Sequence, residues 1–253
     1  MTQFSDQLDK QTLINLARNK YDVAQRSKLP SVVVKLTSGG KIYPESHPLR
    51  SGTIEMRHMT AYDEDILTNV SYIREAILFD KLLEAIIVSP IDIADISPVD
   101  KDGLIVNARI LAYGSDYPVQ VTDPKTGVSL NRIIDLKNIQ PTPFELQSDA
   151  NGEFSYELSP TRHIKFSYQH FEIKDDTKIS DLLQNIITQV GDTRKSEDIE
   201  NFIRYEFLAG DAKQFRNYVG KHKPTLDLTY EFEGEAGDTF RAGFQLGTNL
   251  FWF

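Results

Sequence analysis

The chain has 253 residues, a formal net charge of -9 and no cysteine. Without cysteine it cannot form a disulfide scaffold, a thiolate zinc site, an iron–sulfur cluster or a cysteine nucleophile. No apolar run reaches the roughly 18 residues that a membrane helix needs, and the polar start lacks the pattern of a secretory signal. We therefore expect a soluble intracellular protein without a membrane segment.

The charge is distributed unevenly along the chain. Residues 1–50 carry eight basic and four acidic side chains, whereas residues 51–100 carry three basic and ten acidic ones. The acidic excess of the whole chain opposes general nucleic-acid binding, because contacts to phosphates need clustered lysine and arginine. The basic side chains between Arg18 and Lys41 fit either a solvated helix face and its loop or a contact with an acidic partner.

Residues 5–27 are predicted to form an amphipathic N-terminal helix. Leu13, Leu16 and Tyr21 recur in it at helical spacing. We expect these three side chains to contact a partner protein.

A helical portion is predicted over residues 60–114. Thr60 and Asp63 form the pattern of a capping box at its start. Regularly spaced apolar residues predict helices over 73–88 and 100–113. Before this portion, residues 28–55 predict one strand followed by an irregular connection with glycine and proline turns.

The remainder of the chain changes to the alternating pattern of strands. Three antiparallel hairpins are predicted, at 117–136, 153–171 and 226–247, with a helical insert at 178–220 that includes a helix over 178–190. In the last hairpin, apolar side chains occupy the even positions of both strands. We therefore predict an α+β fold, in which residues 1–27 form a helix and residues 28–253 form one domain of helices packed on hairpins.

Catalytic motifs are mostly absent from the sequence. Ser38-Gly39-Gly40-Lys41 lacks the leading glycine and the following serine or threonine of a phosphate-binding loop. The five histidines show no metal-ligand spacing with carboxylates. We expect a protein that is not an enzyme and has no cofactor.

Two hairpin loops have the outline of a zinc knuckle, Cys-x-x-Cys-Gly, with both cysteines replaced. We call Asp123–Gly127 and Glu233–Gly237 the knuckle loops; Asp123, Thr126, Glu233 and Ala236 stand at the ligand positions. Alanine cannot bind a metal and threonine rarely does, so we expect no zinc. On the residues alone, two interpretations stay open: ordinary turns, or a zinc ribbon that has lost its metal.

The sequence ends with an unusual aromatic tail, Leu250-Phe251-Trp252-Phe253. Chain ends are normally polar, so an apolar end needs a place to pack. Either the tail is buried within its own domain, or its side chains insert into a partner. We expect Leu250, Phe251, Trp252 and Phe253 to contact a partner.

The sequence resembles the T-even-type bacteriophage baseplate hub family, which includes hub subunits and hub-assembly proteins. The resemblance is carried by Leu29-Pro30, by 52–60 with Arg57, by 107–114 with Arg109, Tyr113 and Gly114, and by the terminal Phe251-Trp252. In relatives, cysteines stand at the ligand positions of the knuckle loops, which favours the interpretation of a lost zinc ribbon. The family has no known catalytic residues.

The resemblance implies a non-enzymatic component or assembly factor of the baseplate hub that binds other baseplate proteins. It would reside in the virion baseplate, or in the host cytoplasm during assembly. Two alternatives are a transient assembly chaperone that is absent from the mature virion and a zinc-ribbon-derived adaptor. A hydrolase using paired carboxylates is a remote third.

Overall fold

A computed structural model describes residues 29–171 and 177–252 of the protein. The helix predicted over 5–27, with Leu13, Leu16 and Tyr21, lies outside the described residues, and so does Phe253.

The described residues form seven α-helices and nine β-strands, all strands pairing antiparallel. The helices are α1 Ala61–Leu67, α2 Val70–Arg74, α3 Leu78–Ile86, α4 Pro98–Tyr113, α5 Ile179–Ile186, α6 Ser196–Asn201 and α7 Ala209–His222. The strands are β1 Ser31–Lys35, β2 Thr53–Arg57, β3 Asp116–Thr122, β4 Ser129–Asp135, β5 Phe154–Ser159, β6 Arg162–Phe166, β7 Ile187–Val190, β8 Thr229–Glu233 and β9 Thr239–Gly243. They build the sheets β1-β2, β3-β4, β5-β6-β7 and β8-β9. The predicted α+β class is confirmed.

The helical portion follows the prediction except in one place. The helix predicted over 73–88 is divided into α2 and α3, because Ala76 adopts a left-handed backbone conformation (φ 56°) that no helix can continue. The predicted capping box is confirmed: the backbone N–H of Thr60 donates to Asp63 Oδ2 at 2.7 Å, and the two residues start α1.

Two strands were not predicted. β2 lies where an irregular connection was expected and pairs with β1. β7 corrects the helix predicted over 178–190: the helix ends at Ile186, and residues 187–190 pair with β6 as the third strand of a sheet. The apolar residues Ile186, Ile187 and Val190 keep helical spacing, and the stretch is too short for periodicity alone to separate a strand from a helix end.

The last hairpin has the predicted alternation. Tyr230 pairs with Ala242 and Phe232 with Phe240, so the even positions of both strands share one face. That face packs against a single hydrophobic cluster, which runs from Val34 in β1 to Phe251 near the chain end. Every sheet therefore shares one core.

Two turns that contain glycine, at Gly39-Gly40 and at Gly52, meet beside β1. Gly40 and Gly52 both adopt left-handed conformations (φ 80° and 74°), and a Cβ on Gly52 would lie 2.7 Å from the carbonyl oxygen of Gly39. Gly39 is also left-handed (φ 59°), but the space beside it is open. Glycine at position 52 is thus required by close backbone contact as well as by its conformation.

Replacing Gly52 with alanine should therefore cost far more than replacing Gly39. We expect Gly52→Ala to lower the free energy of unfolding by about 3 kcal/mol or more, and Gly39→Ala by about 1 kcal/mol, the cost of the left-handed conformation alone. Urea unfolding followed by circular dichroism measures both. Equal losses in the two variants would contradict the close contact of the turns.

Candidate functional site

Some of the residues that carry the family resemblance, among them Tyr113 and Gly114, lie around the buried side chain of Arg109. Arg109 projects from α4 and is 0% exposed. Its Nε donates to the carbonyl oxygen of Leu250 at 2.9 Å, and its Nη1 donates to that of Gly114 at 2.8 Å. Burial lowers the pKa of Arg109. A guanidinium remains charged in proteins even so.

Two tyrosines flank this guanidinium. The centre of the Arg109 guanidinium lies 5.2 Å from the ring of Tyr113 and 5.8 Å from that of Tyr117, within the range of cation–π contacts. The hydroxyl of Tyr113 donates to Glu64 Oε1 at 2.8 Å, which links α4 to α1. Burial and the neighbouring Glu64 raise the pKa of Tyr113 to about 12. Gly114 then ends α4 with a positive φ of 85°.

The aromatic tail packs onto this cluster. Leu250 and Phe251 are each 1% exposed, and the Phe251 ring lies 6.3 Å from Phe79 and 6.4 Å from Tyr113. The expectation that Leu250 and Phe251 insert into a partner is corrected here, because the protein's own core already surrounds them. Trp252 is 43% exposed, so contact between Trp252 and a partner stays a prediction.

A buried ion pair between Arg57 and Asp63 lies at the start of the helical portion. Arg57 Nη1 and Nη2 donate to Asp63 Oδ2 and Oδ1 at 2.7 and 2.8 Å, a bidentate contact. Burial opposes ionisation of Asp63, but hydrogen bonds from Arg57 and Thr60 outweigh it and hold the pKa of the carboxyl below its usual range. The leader residues lie next to this pair: Leu29 is half-buried, Pro30 is exposed, and the Pro30 carbonyl accepts the N–H of His58 at 3.0 Å.

Sequence reasoning missed the buried carboxylate of Asp100. Asp100 is 0% exposed and accepts hydrogen bonds from Ser38 N (2.7 Å), Ser38 Oγ (2.8 Å) and the hydroxyl of Tyr43 (2.7 Å). Burial raises the pKa of Asp100, although these hydrogen bonds favour its charged form. The turn Ser38-Gly39-Gly40-Lys41, which lacks the full phosphate-loop motif, thus binds the Asp100 carboxylate of its own chain.

The two knuckle loops contact each other through Asp123. Its Oδ1 accepts the backbone N–H of Lys125 at 2.8 Å and that of Thr126 at 3.3 Å within its own loop. Its Oδ2 accepts the N–H of Glu235 at 3.2 Å in the other loop. These hydrogen bonds, that of Lys125 foremost, hold the pKa of Asp123 below its usual range. One carboxylate therefore joins both loops.

Two further contacts hold the loops together. Lys125 Nζ lies 2.7 Å from Asp238 Oδ2, and Arg132 Nη2 donates to the carbonyl oxygen of Glu233 at 2.9 Å. A Cβ on Gly234 would lie 2.8 Å from Asp123 Oδ2, so the close approach needs glycine there.

The four ligand positions do not fit zinc. The Asp123 carboxylate already accepts three backbone hydrogen bonds, Thr126 and Glu233 are exposed, and Ala236 offers no donor atom. Within residues 29–171 and 177–252, no group of three or more His, Cys, Asp or Glu side chains could hold a metal ion.

A family model described as T4 bacteriophage base plate protein matches residues 29–235. The chain belongs to this family. The matched residues contain Arg57, Asp100, Arg109 and both ligand positions of the first knuckle loop. Searches of curated proteins and of solved structures found no significant match.

Membership makes the protein a T4-type phage baseplate protein, whose partners are other baseplate proteins. The resemblance seen in the sequence is confirmed at this level. None of the helices in the described part of this baseplate protein is long and apolar enough to cross a membrane. The derivation of the knuckle loops from a zinc ribbon stays a prediction.

Restoring the four cysteines tests that prediction directly. We expect the wild-type protein to carry no stoichiometric zinc, and the variant Asp123→Cys/Thr126→Cys/Glu233→Cys/Ala236→Cys to bind one zinc per chain, because four thiolates can then surround one ion. Native mass spectrometry counts the metal.

The control carries Asp123→Cys/Thr126→Cys alone and should bind zinc far more weakly, since two thiolates leave the coordination incomplete. A folded four-cysteine variant without zinc, or a wild-type protein with one zinc per chain, would contradict the derivation.

Proposed function

We propose that this protein is a non-enzymatic component of the baseplate hub that acts by binding other baseplate proteins. The family match over residues 29–235 carries the proposal. The hub is the finer assignment, and it is supported by the motif residues Arg57, Arg109, Tyr113 and Gly114. Arg57 binds Asp63 in α1, and the other three lie in α4 or directly after it.

The use of buried charge supports a binding role over catalysis. Within the described residues, each buried charged side chain is engaged in internal hydrogen bonds. They are Arg57, Asp63, Asp100, Arg109, Asp123 and Glu153. A general acid or base must instead reach a substrate from a cleft. These groups stabilise the fold, so surface recognition is the activity that we infer.

Quantitative mass spectrometry of mature virions and of baseplate assembly intermediates tests the proposal. We expect the protein in both, at a constant ratio to other baseplate proteins, because a structural subunit stays in place. An abundant host protein serves as the contamination control.

Presence only in intermediates would replace the structural role with that of an assembly chaperone. Absence from both preparations would overturn the proposed function.

A further inference from the structure

Strand β1 has one unpaired edge. Leu36 N donates to the Gly52 carbonyl at 2.9 Å and His58 N to the Pro30 carbonyl at 3.0 Å. In the antiparallel register the backbone N–H and C=O groups at the even positions of this segment point toward β2. Those of Val33 and Lys35, at odd positions, therefore point away from it. No described residue pairs with them. An unpaired edge of this kind is a template for an added strand.

The opposite edge of the sheet is already covered. Met56 in β2 forms a bridge with Ile87, and Val88 N donates to the Glu55 carbonyl at 2.9 Å. Only the β1 edge of this two-stranded sheet is therefore open among the described residues.

The open edge lies along a groove of about 800 Å³. Its far wall is the segment 136–144, whose Gln140 carbonyl and Thr142 N–H are already hydrogen-bonded to residues 225–227. Apolar side chains line the groove, including Val106, Ile110, Leu136 and Ile139. Val33 in the open strand is 68% exposed, which is unusual for a valine. A strand added to β1 would cover it.

The charge of the groove is opposite to that of the molecule. The charged residues that line it are Lys35, Lys41 and Lys137, all basic, in a chain of net charge -9. Lys41 Nζ donates to the Phe144 carbonyl at 3.1 Å, whereas Lys35 and Lys137 form no ion pair with any described residue. Two exposed ammonium groups thus flank an apolar floor.

From this juxtaposition we infer that the groove binds an extended, acidic segment of a partner protein, which adds to β1 as a third strand. Its backbone pairs with Val33 and Lys35, alternate apolar side chains enter the groove, and its carboxylates meet Lys35 and Lys137. The inference rests on the proposed function in one respect: the segment would belong to another baseplate protein.

Val33→Pro removes the outward N–H without touching the hydrogen bonds between β1 and β2. Proline is tolerated in edge strands at positions whose N–H faces solvent, and the preceding residue is already extended. Val33→Thr keeps the N–H and the β-branched shape, so it is the matched control. Lys35→Glu/Lys137→Glu reverses the charge of the groove. Lys213→Glu/Lys221→Glu, at two exposed lysines on α7 outside the groove, makes the same change in net charge and is the control.

The probe is a fluorescein-labelled peptide of alternating valine and glutamate, titrated with the full-length protein and followed by fluorescence anisotropy. We expect the wild type, Val33→Thr and Lys213→Glu/Lys221→Glu to bind it alike, and Val33→Pro and Lys35→Glu/Lys137→Glu to lose about tenfold in affinity or more. A valine–lysine peptide should not bind. Hydrogen exchange should show that the peptide protects the amides of Val33 and Lys35.

No binding of the acidic peptide, equal binding of the basic one, or unchanged affinity in Lys35→Glu/Lys137→Glu would overturn the inference. If Val33→Pro fails to fold by circular dichroism, the charge-reversal variant and the exchange data still decide.

Sedimentation showing a dimer that Val33→Pro dissociates would assign the edge to a second copy of the chain and also overturn the inference. The titration needs no virion, so its failure leaves the proposed function standing, and failure of the virion test leaves the titration unaffected.

Discussion

The buried guanidinium of Arg109 connects helix α4, the turn that follows it and the end of the chain. Burying a charge costs several kcal/mol unless polar groups surround it. Here the carbonyl oxygens of Leu250 and Gly114 and two tyrosine rings do so. Because Leu250 is held by its backbone, Phe251 is placed between Phe79 and Tyr113 and completes the core. The aromatic tail is therefore an internal element of the fold as far as Phe251.

Two other buried carboxylates, Asp100 and Asp123, also join segments that are distant in sequence. Asp100 fixes the turn at Ser38, and Asp123 joins the two knuckle loops by accepting N–H groups from both. In a zinc ribbon a metal ion makes that connection. In this chain, which has no cysteine to bind a metal, the Asp123 carboxylate lies between the two loops and connects them instead.

Periodicity predicted the elements whose pattern is long, such as the last hairpin and the helix ending at Tyr113. It failed at Ile187–Val190, because Ile187 and Val190 stand at helical spacing and four residues are too few to show the period of a strand. It also missed Asp100, since an acidic residue in the first turn of a helix looks the same whether it is solvated or buried. Arg109 was identified as a candidate only by the family resemblance. Its burial could not be predicted from periodicity, because its acceptor Leu250 lies 141 residues further along the chain. The open edge of β1 became visible only once β2, absent from the prediction, was paired with it.

The chain's only tryptophan, Trp252, follows directly on the tail residues that Arg109 positions, so its fluorescence reports whether the tail is docked. Urea unfolding of Arg109→Lys, followed in parallel by Trp252 fluorescence and by far-ultraviolet circular dichroism, tests the central role of this contact most directly. Lysine lacks the planar set of donors that reaches both carbonyls, so the fluorescence transition should precede the circular dichroism transition in the variant and coincide with it in the wild type. Coincident transitions in Arg109→Lys, at the urea concentration of the wild type, would contradict the account.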